Sequence, residues 1–248
     1  MMDMLGSIPE AAMWDDVEHG SYTADLEVWS ELASGRDPVL DLGCGAGRVA
    51  LHLARAGHEV WAMDDDEDLI EALDDRAGEA GVAVRTVVGD VRDFDLDASF
   101  GLIAAPMQLV QLLRGEQERI AMLSAVRRHL EPGGLFAAAI MDPPLTWGDA
   151  EEETLPDVRE TEGWVCSSLP LGVRPDGPEL VIERLRQIVS PSGELTERRH
   201  ETRLDVLEPE RLEAEAAACG LATTDRLPIA ATEEHVGSLV VVLEASGE

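Results

Sequence analysis

The chain has 248 residues, 45% of them apolar, and no apolar run approaches the ~20 residues that cross a bilayer. Its 51 acidic and 19 basic residues give a formal charge of −32, a surface that repels phosphate backbones and excludes nucleic acid as an expected partner. There is no lysine and no asparagine, so every basic side chain is arginine and Schiff-base chemistry on a lysine is excluded.

Cys44, Cys166 and Cys219 form no CxxC pair, so neither a structural zinc nor any other metal site is expected. Met1 to Pro9 carries neither a basic stretch nor an apolar core. No signal peptide is expected, and the cytoplasm is the expected location.

Residues 10–34 read as helical, with Trp14, Val17, Leu26, Trp29 and Leu32 loosely on one side and Tyr22 between two segments. Gly35 to Pro38 breaks the pattern. Val39–Leu42 is a short apolar strand that opens into the turn Gly43-Cys44-Gly45-Ala46-Gly47-Arg48. A helix follows, with Val49, Leu53 and Ala56 on one face and Gly57 as its stop. His58–Met63 reads as the second strand and ends in Asp64-Asp65-Asp66. The next helix carries Leu69, Ile70, Leu73 and Ala77, with Asp66 as its N-cap. Val82–Val88 is the third strand and leads into Gly89-Asp90-Val91. Phe100–Ala105 is the fourth. A helix runs from about Glu116 to Leu130, Pro132-Gly133-Gly134 turns, and Leu135–Met141 is the fifth strand.

After Met141 the rhythm changes. Residues 142–178 read as irregular, with an acidic run at Asp149–Glu153. Leu180–Val189 and Leu195–Val206 then read as a β-hairpin. Pro209 suits a helix start, Leu212, Ala216 and Cys219 share a face, and Gly220 ends that helix. Leu221–Ile229 and Ser238–Leu243 are two closing strands. Strand–helix alternation of this kind argues for an α/β fold with a largely parallel sheet. The expected organisation is a helical lid over residues 1–35, a core over 36–142 and 205–248, and an insertion over 143–204 that sets acceptor choice.

Right-handed crossovers place Asp41, Gly43, Asp64, Asp90 and Ala105 along one edge of that sheet, at the strand C-termini. A dinucleotide site wants a third glycine where this chain has Arg48, which compromises a pyrophosphate seat. Asp64 lies about 20 residues beyond the turn, the position of a ribose-binding acid. Asp65 is placed to touch the ribose or the adenine edge. Asp90 can accept from an adenine amino group, with the Val91 amide offered to the ring. Asp41 suits an ammonium group. Together these residues describe a phosphate-free nucleoside with a cationic amino-acid tail, and S-adenosylmethionine fits.

With these motifs in order, the chain resembles the class I S-adenosylmethionine-dependent methyltransferases of the small-molecule type. The matching residues are Asp41 to Gly47, Asp64 with its helix, Gly89-Asp90-Val91, Phe100–Ala105 and Leu130 to Leu135, with Pro209–Leu243 as the closing part. The resemblance implies a Rossmann-like sheet of seven strands with the last antiparallel, here with an inserted β-hairpin lid. It implies S-adenosylmethionine as cofactor and S-adenosylhomocysteine as product. Family members carry an acid after the fourth-strand aromatic, where this chain has Gly101.

The expected cofactor set is Tyr22, Asp41, Gly43, Cys44, Gly45, Asp64, Asp65, Asp90, Val91, Ala105 and Met107. Tyr22 is a candidate cover for the methionine end, with plain packing an equal alternative. Gln111, Trp147, Arg184 and His200 are candidates for the acceptor, and His200 for a general base. Arg184, Arg186, Arg198 and Arg203 suit an acidic acceptor, against the alternative of pairing with Glu183, Glu197 and Glu201. The expected acceptor is a small molecule methylated on N or O, with a protein or peptide acceptor as the alternative. A non-catalytic nucleoside-binding protein and an NAD-dependent oxidoreductase are the competing functions.

Overall fold

The computed structural model describes residues 4–5, 8–141, 155–232 and 235–245. The chain divides into two compact units, Met1–Ser21 with Pro144–Val206 and Tyr22–Pro143 with Leu207–Glu248. Two short strands, β1 (Met4–Leu5) and β2 (Ile8–Pro9), pair at the start of the first unit and lead into α1 (Glu10–His19). Met13, Trp14 and Val17 form the buried face of α1.

The second unit then begins. It runs through α2 (Leu26–Ala33), β3 (Val39–Leu42), α3 (Arg48–Arg55), β4 (Val60–Asp64), α4 (Glu67–Ala80) and β5 (Val84–Val88). It continues with β6 (Phe100–Ala105), α5 (Leu109–Leu112), α6 (Gly115–His129) and β7 (Leu130–Met141). Local chemistry sets the helix ends. The Asp66 carboxylate accepts from the Asp68 amide at 2.9 Å, the N-cap arrangement. Gly81 closes α4 at φ +67°.

The first unit resumes with β8 (Asp157–Thr161), β9 (Trp164–Asp176), β10 (Glu179–Val189) and β11 (Leu195–Asp205). The second unit closes with α7 (Pro209–Ala218), β12 (Leu221–Ile229) and β13 (Ser238–Ala245).

The sheet of the second unit has seven strands in the order β12-β13-β7-β6-β3-β4-β5. The pairings from β7 to β5 are parallel, and β13 runs antiparallel to both its neighbours. All four residues of β3 are buried, as a strand covered on both faces requires. Leu40 and Leu42 join one apolar cluster while Val39 joins the other. From β3 the chain winds outward to β4 and β5, then returns to β6 on the opposite side of β3. That reversal makes the C-terminal ends of β3 and β6 the topological switch point, where ligands bind on this kind of sheet.

The expected inserted hairpin is present, and two other readings need correction. The inserted hairpin is the β10–β11 half of a four-stranded antiparallel sheet, β11-β10-β9-β8. Residues 157–161 and 164–176, read as irregular, are strands. Pro170 and Pro175 hide β9 from a pattern search because proline donates no ladder hydrogen bond. Both lie beyond the span paired with β8, which ends at Ser168, where β10 is the one neighbour of β9 among the described residues. Finally, residues 1–35 are not one segment. Helix α1 belongs to the first unit, whereas α2 buries Trp29 completely in the second unit's core.

Gly101 has a steric reason. A Cβ there would stand 2.6 Å from the Arg36 carbonyl oxygen, and the Gly101 amide donates to the Pro38 carbonyl at 3.0 Å. The chain entering β3 crosses directly over the start of β6, so an acid cannot occupy this position.

Candidate functional site

The glycine turn between β3 and α3 takes a left-handed path, with φ of +62° at Gly43, +54° at Gly45 and +93° at Gly47. Gly47 also permits close packing, since a Cβ would fall 2.2 Å from a methyl of Leu73 on α4. The turn is held at both ends of Cys44, whose amide donates to the Met63 carbonyl and whose carbonyl accepts from the Gly47 amide, each at 3.0 Å. The Cys44 side chain is buried. Arg76 on α4 donates to the Ala46 carbonyl at 3.0 Å.

Asp64, at the end of β4, reaches into this turn. Its Oδ2 accepts from the Gly45 amide at 2.9 Å and its Oδ1 from the Asp66 amide at 3.1 Å. Burial raises its pKa above the usual carboxylate value, and these two amides oppose that rise. A carboxylate has about four acceptor sites, so two hydrogen bonds leave room for hydroxyl donors. Asp65 is exposed beside it.

Asp41 lies below the turn with 1% of its surface exposed, and neither carboxylate oxygen has a hydrogen-bond partner among the described residues. Burial lifts its pKa to about 7; Arg48 and the Ala50 amide hold it down, while Asp25 and Asp64 push it further up. The Ala50 amide acts on it from outside hydrogen-bonding geometry. An orphaned buried carboxylate is costly unless something charged or polar meets it. The residues of this turn therefore fit a cationic nucleoside.

The remaining expected residues take varied positions. Asp90 is clamped by Arg92, whose Nε donates to Oδ1 at 2.8 Å and whose Nη2 donates to Oδ2 at 2.6 Å. Those bonds hold the Asp90 carboxyl below the usual carboxylate range. Val91 and Ala105 point their side chains into the core, which leaves only backbone to meet a ligand. Met107, just past β6, takes φ +55°, a strained value for a residue with a side chain. Tyr22 is buried, its ring 4.7 Å from that of His235 and 5.1 Å from the Arg48 guanidinium.

Gln111 is buried, and its Oε1 accepts from the Met141 amide at 2.7 Å, so it pins the end of β7. Trp147 lies outside the described residues. In the first unit, Arg184 donates to Asp157 at 2.8 Å and His200 faces it across the β10–β11 ladder. Burial and then Arg186 depress the His200 pKa, which favours the neutral ring. The hairpin arginines are paired, though mostly with other acids than expected. Arg186 binds Glu18 through two contacts of 2.7 Å, Arg198 pairs with Glu10, and Arg203 lies 2.9 Å from both Asp176 and Glu179. The first unit has a cavity of about 430 Å³ lined by Glu10, Trp14, Glu18, Arg186 and Arg198 among others. Those acids and arginines satisfy one another, and nothing there parallels the glycine turn.

One feature escaped the sequence. Arg48 binds Asp25 through both Nη atoms, at 2.6 and 2.7 Å, and donates to the Tyr22 carbonyl at 2.9 Å. Asp25 in turn accepts from Trp29 Nε1 at 2.8 Å. The residue in the third glycine slot is thus the fastener that ties the segment before α2 to the turn. Only the i, i+4 spacing of Asp25 and Trp29 hinted at it.

Comparison with known proteins agrees with this geometry. Residues 39–134 match a family described as a methyltransferase domain. A cypemycin N-terminal methyltransferase from Streptomyces is 35% identical over 121 residues, 48% of this chain and 49% of the relative. The chain spans about half the length of the curated relatives it matches. A sugar N-methyltransferase from Streptoalloteichus superimposes with a TM-score of 0.76 at 19% identity, covering 100% of this chain and 96% of that one. A glycopeptide N-methyltransferase solved with S-adenosylhomocysteine gives 0.61 at 25% identity, covering 88% and 86%. Residues 39–134 are therefore a methyltransferase domain, set in the Rossmann-like fold of the S-adenosylmethionine-dependent methyltransferases.

Proposed function

We propose that the chain transfers a methyl group from S-adenosylmethionine to a nitrogen atom of a small molecule. The observation that carries this is the orphaned Asp41 carboxylate beneath a glycine turn whose neighbouring strand ends in Asp64. A turn backed by two carboxylates favours a cationic nucleoside and disfavours phosphates. Arg48 does not offset them toward a phosphate, because Asp25 already holds both of its Nη atoms.

In this reading Asp64 keeps the Gly45 amide in place and presents its remaining lone pairs to the ribose hydroxyls. Asp41 supplies the negative charge for the amino-acid end. Asp90 accepts from the adenine amino group by sharing oxygens that Arg92 now holds, and the Val91 amide serves the ring. Gly43, Cys44, Gly45, Asp65 and the backbone around Ala105 and Met107 complete the cofactor set. When bound, the cofactor supplies an electrophilic methyl group on a sulfonium. The chain's contribution is then chiefly positioning, which by itself removes several kcal/mol of a bimolecular barrier.

Nitrogen is favoured over oxygen because the sugar and glycopeptide neighbours are named as N-methyltransferases and the cypemycin relative as an N-terminal methyltransferase, although ubiquinone O-methyltransferases also match. The strongly acidic surface also suits an acceptor that arrives as an ammonium ion. The test is titration calorimetry with S-adenosylmethionine and its demethylated product, followed by mass spectrometry of paired amine and alcohol acceptors. Binding is expected in the micromolar range, with mass gain on amines. Asp64→Ala should weaken binding by about 1–3 kcal/mol through lost hydrogen bonds. No heat with either ligand would overturn the assignment, and mass gain confined to alcohols would overturn the choice of nitrogen.

A further inference from the structure

Asp41 is the third residue of β3, separated from the glycine turn by Leu42, on the face that carries Val39. The charged groups that act on it are Arg48 on α3, Asp25 ahead of α2 and Asp64 at the end of β4. Its register neighbours, Ala62 on β4 and Ala104 on β6, carry no charge. Arg48 is the sole cation of this group, and its guanidinium is committed to both oxygens of Asp25. An ionised Asp41 would therefore sit buried among two other carboxylates and one arginine that is already paired. It would also lack a single hydrogen bond among the described residues. Only Arg48 and the Ala50 amide favour its charge, and burial outweighs them.

We propose that Asp41 is a proton-exchange group of the cofactor site: it carries a proton in the ligand-free protein and releases it to solvent when a cationic nucleoside occupies the turn. This rests on the S-adenosylmethionine assignment made above. The step breaks the carboxyl O–H bond and passes the proton to buffer, and the ligand's positive charge takes the proton's place. No electron moves. The pKa of about 7 in the ligand-free structure places the exchange in the physiological range.

The sign follows from linkage. A ligand that prefers the ionised carboxylate binds more tightly as pH rises through the ligand-free pKa. Relative to Asp41→Asn, wild-type affinity should rise about tenfold between pH 6 and pH 8. At pH 7 the wild type should release about half a proton more than the variant on binding.

The experiment is titration calorimetry with S-adenosylmethionine at pH 7 in phosphate, HEPES and Tris, whose different ionisation enthalpies report the protons released. The ligand's own amino group contributes equally to both proteins, so the difference between them isolates Asp41. Asp64→Asn runs alongside, because the Asp64 pKa is also raised. Expected is a proton excess that Asp41→Asn abolishes and Asp64→Asn retains. Equal proton counts in wild type and Asp41→Asn overturn the inference while leaving the cofactor assignment standing. No heat in any buffer overturns both.

Should Asp41→Asn fail to fold, carbon-13 NMR of aspartate-labelled wild type decides, with Asp64→Asn used for assignment. A carboxyl that titrates near pH 7 in the ligand-free protein, and leaves that range in the complex, supports the proposal. Absence of any such carboxyl other than Asp64 overturns it.

Discussion

Asp41 shows how one residue can oppose folding and serve binding. Its folded pKa of about 7 exceeds the ~3.9 of an unfolded aspartate. Between those values the folded protein holds a proton that the unfolded chain has lost. The stabilising effect is complete below about pH 4 and is lost as pH rises through 7. The full cost of ionisation is on the order of a few kcal/mol. Asp41→Asn should therefore raise Tm more at pH 8 than at pH 5, as differential scanning calorimetry would read, even as it weakens cofactor binding. A Tm difference independent of pH would show that Asp41 is charged throughout. Arg48 works in the opposite sense, since its two contacts to Asp25 satisfy both partners.

At the scale of elements, two glycines separate steric need from habit. Gly101 lies on β6 where any Cβ meets the Arg36 backbone at 2.6 Å, and backbone cannot swing aside as a flexible side-chain tip can. Gly101→Ala should cost about 1–3 kcal/mol as overpacking. Gly78 lies in the exposed part of α4, where an added methyl group would meet nothing beyond its own helix within 4 Å. Gly78→Ala should add up to about 1 kcal/mol, because glycine is the poorer helix former and loses more entropy on folding. Urea unfolding of the two variants should move the midpoint in opposite directions.

Helix α4 also illustrates a cap set by chemistry. The Asp66 carboxylate satisfies the Asp68 amide at its start, and Gly81 closes its end. The strand-forming prolines of β9 illustrate the reverse. Among the described residues their stretch pairs with β10 alone, the edge setting in which strand prolines are tolerated.

Across the whole second unit, α6 and α7 are joined by a buried ion pair. Arg119, fully buried, donates through Nε and Nη2 to Glu215 at 2.7 and 2.8 Å. Removing Glu215 takes the carboxylate from a fully buried guanidinium, whereas Glu215 itself also accepts from Arg211 Nε at 3.2 Å. Glu215→Ala should cost about 3–5 kcal/mol, and Arg119→Met with Glu215→Leu should recover most of it. Thermal unfolding of the two variants checks this, and equal losses in the single and double variants would contradict it.

The formal charge of −32 acts over the molecule as self-repulsion. Salt shortens the range of that repulsion to about 3 Å at 1 M, so Tm should rise as sodium chloride is raised from low concentration to that level. A falling Tm would mean that the exposed ion pairs outweigh the net charge.

What the sequence determined was whatever is encoded over short spans. Hydrophobic period placed the strands and helices of the second unit, turn chemistry placed Gly43 to Gly47, and the order of strand ends brought Asp41 and Asp64 to one edge. Each of these depends on residues within about one element of each other. Tertiary structure decided how the acids are engaged. Asp64 holds the Gly45 amide, Asp90 turns to Arg92, and Asp41 is left without a hydrogen-bond partner among the described residues. It also made Arg48 the tie to Asp25, sent Gln111 to the end of β7, and paired β8 and β9 into a sheet. The physical reason is the same in each case. Which buried group finds a partner depends on chain segments distant in sequence, and neither periodicity nor spacing records where those segments meet.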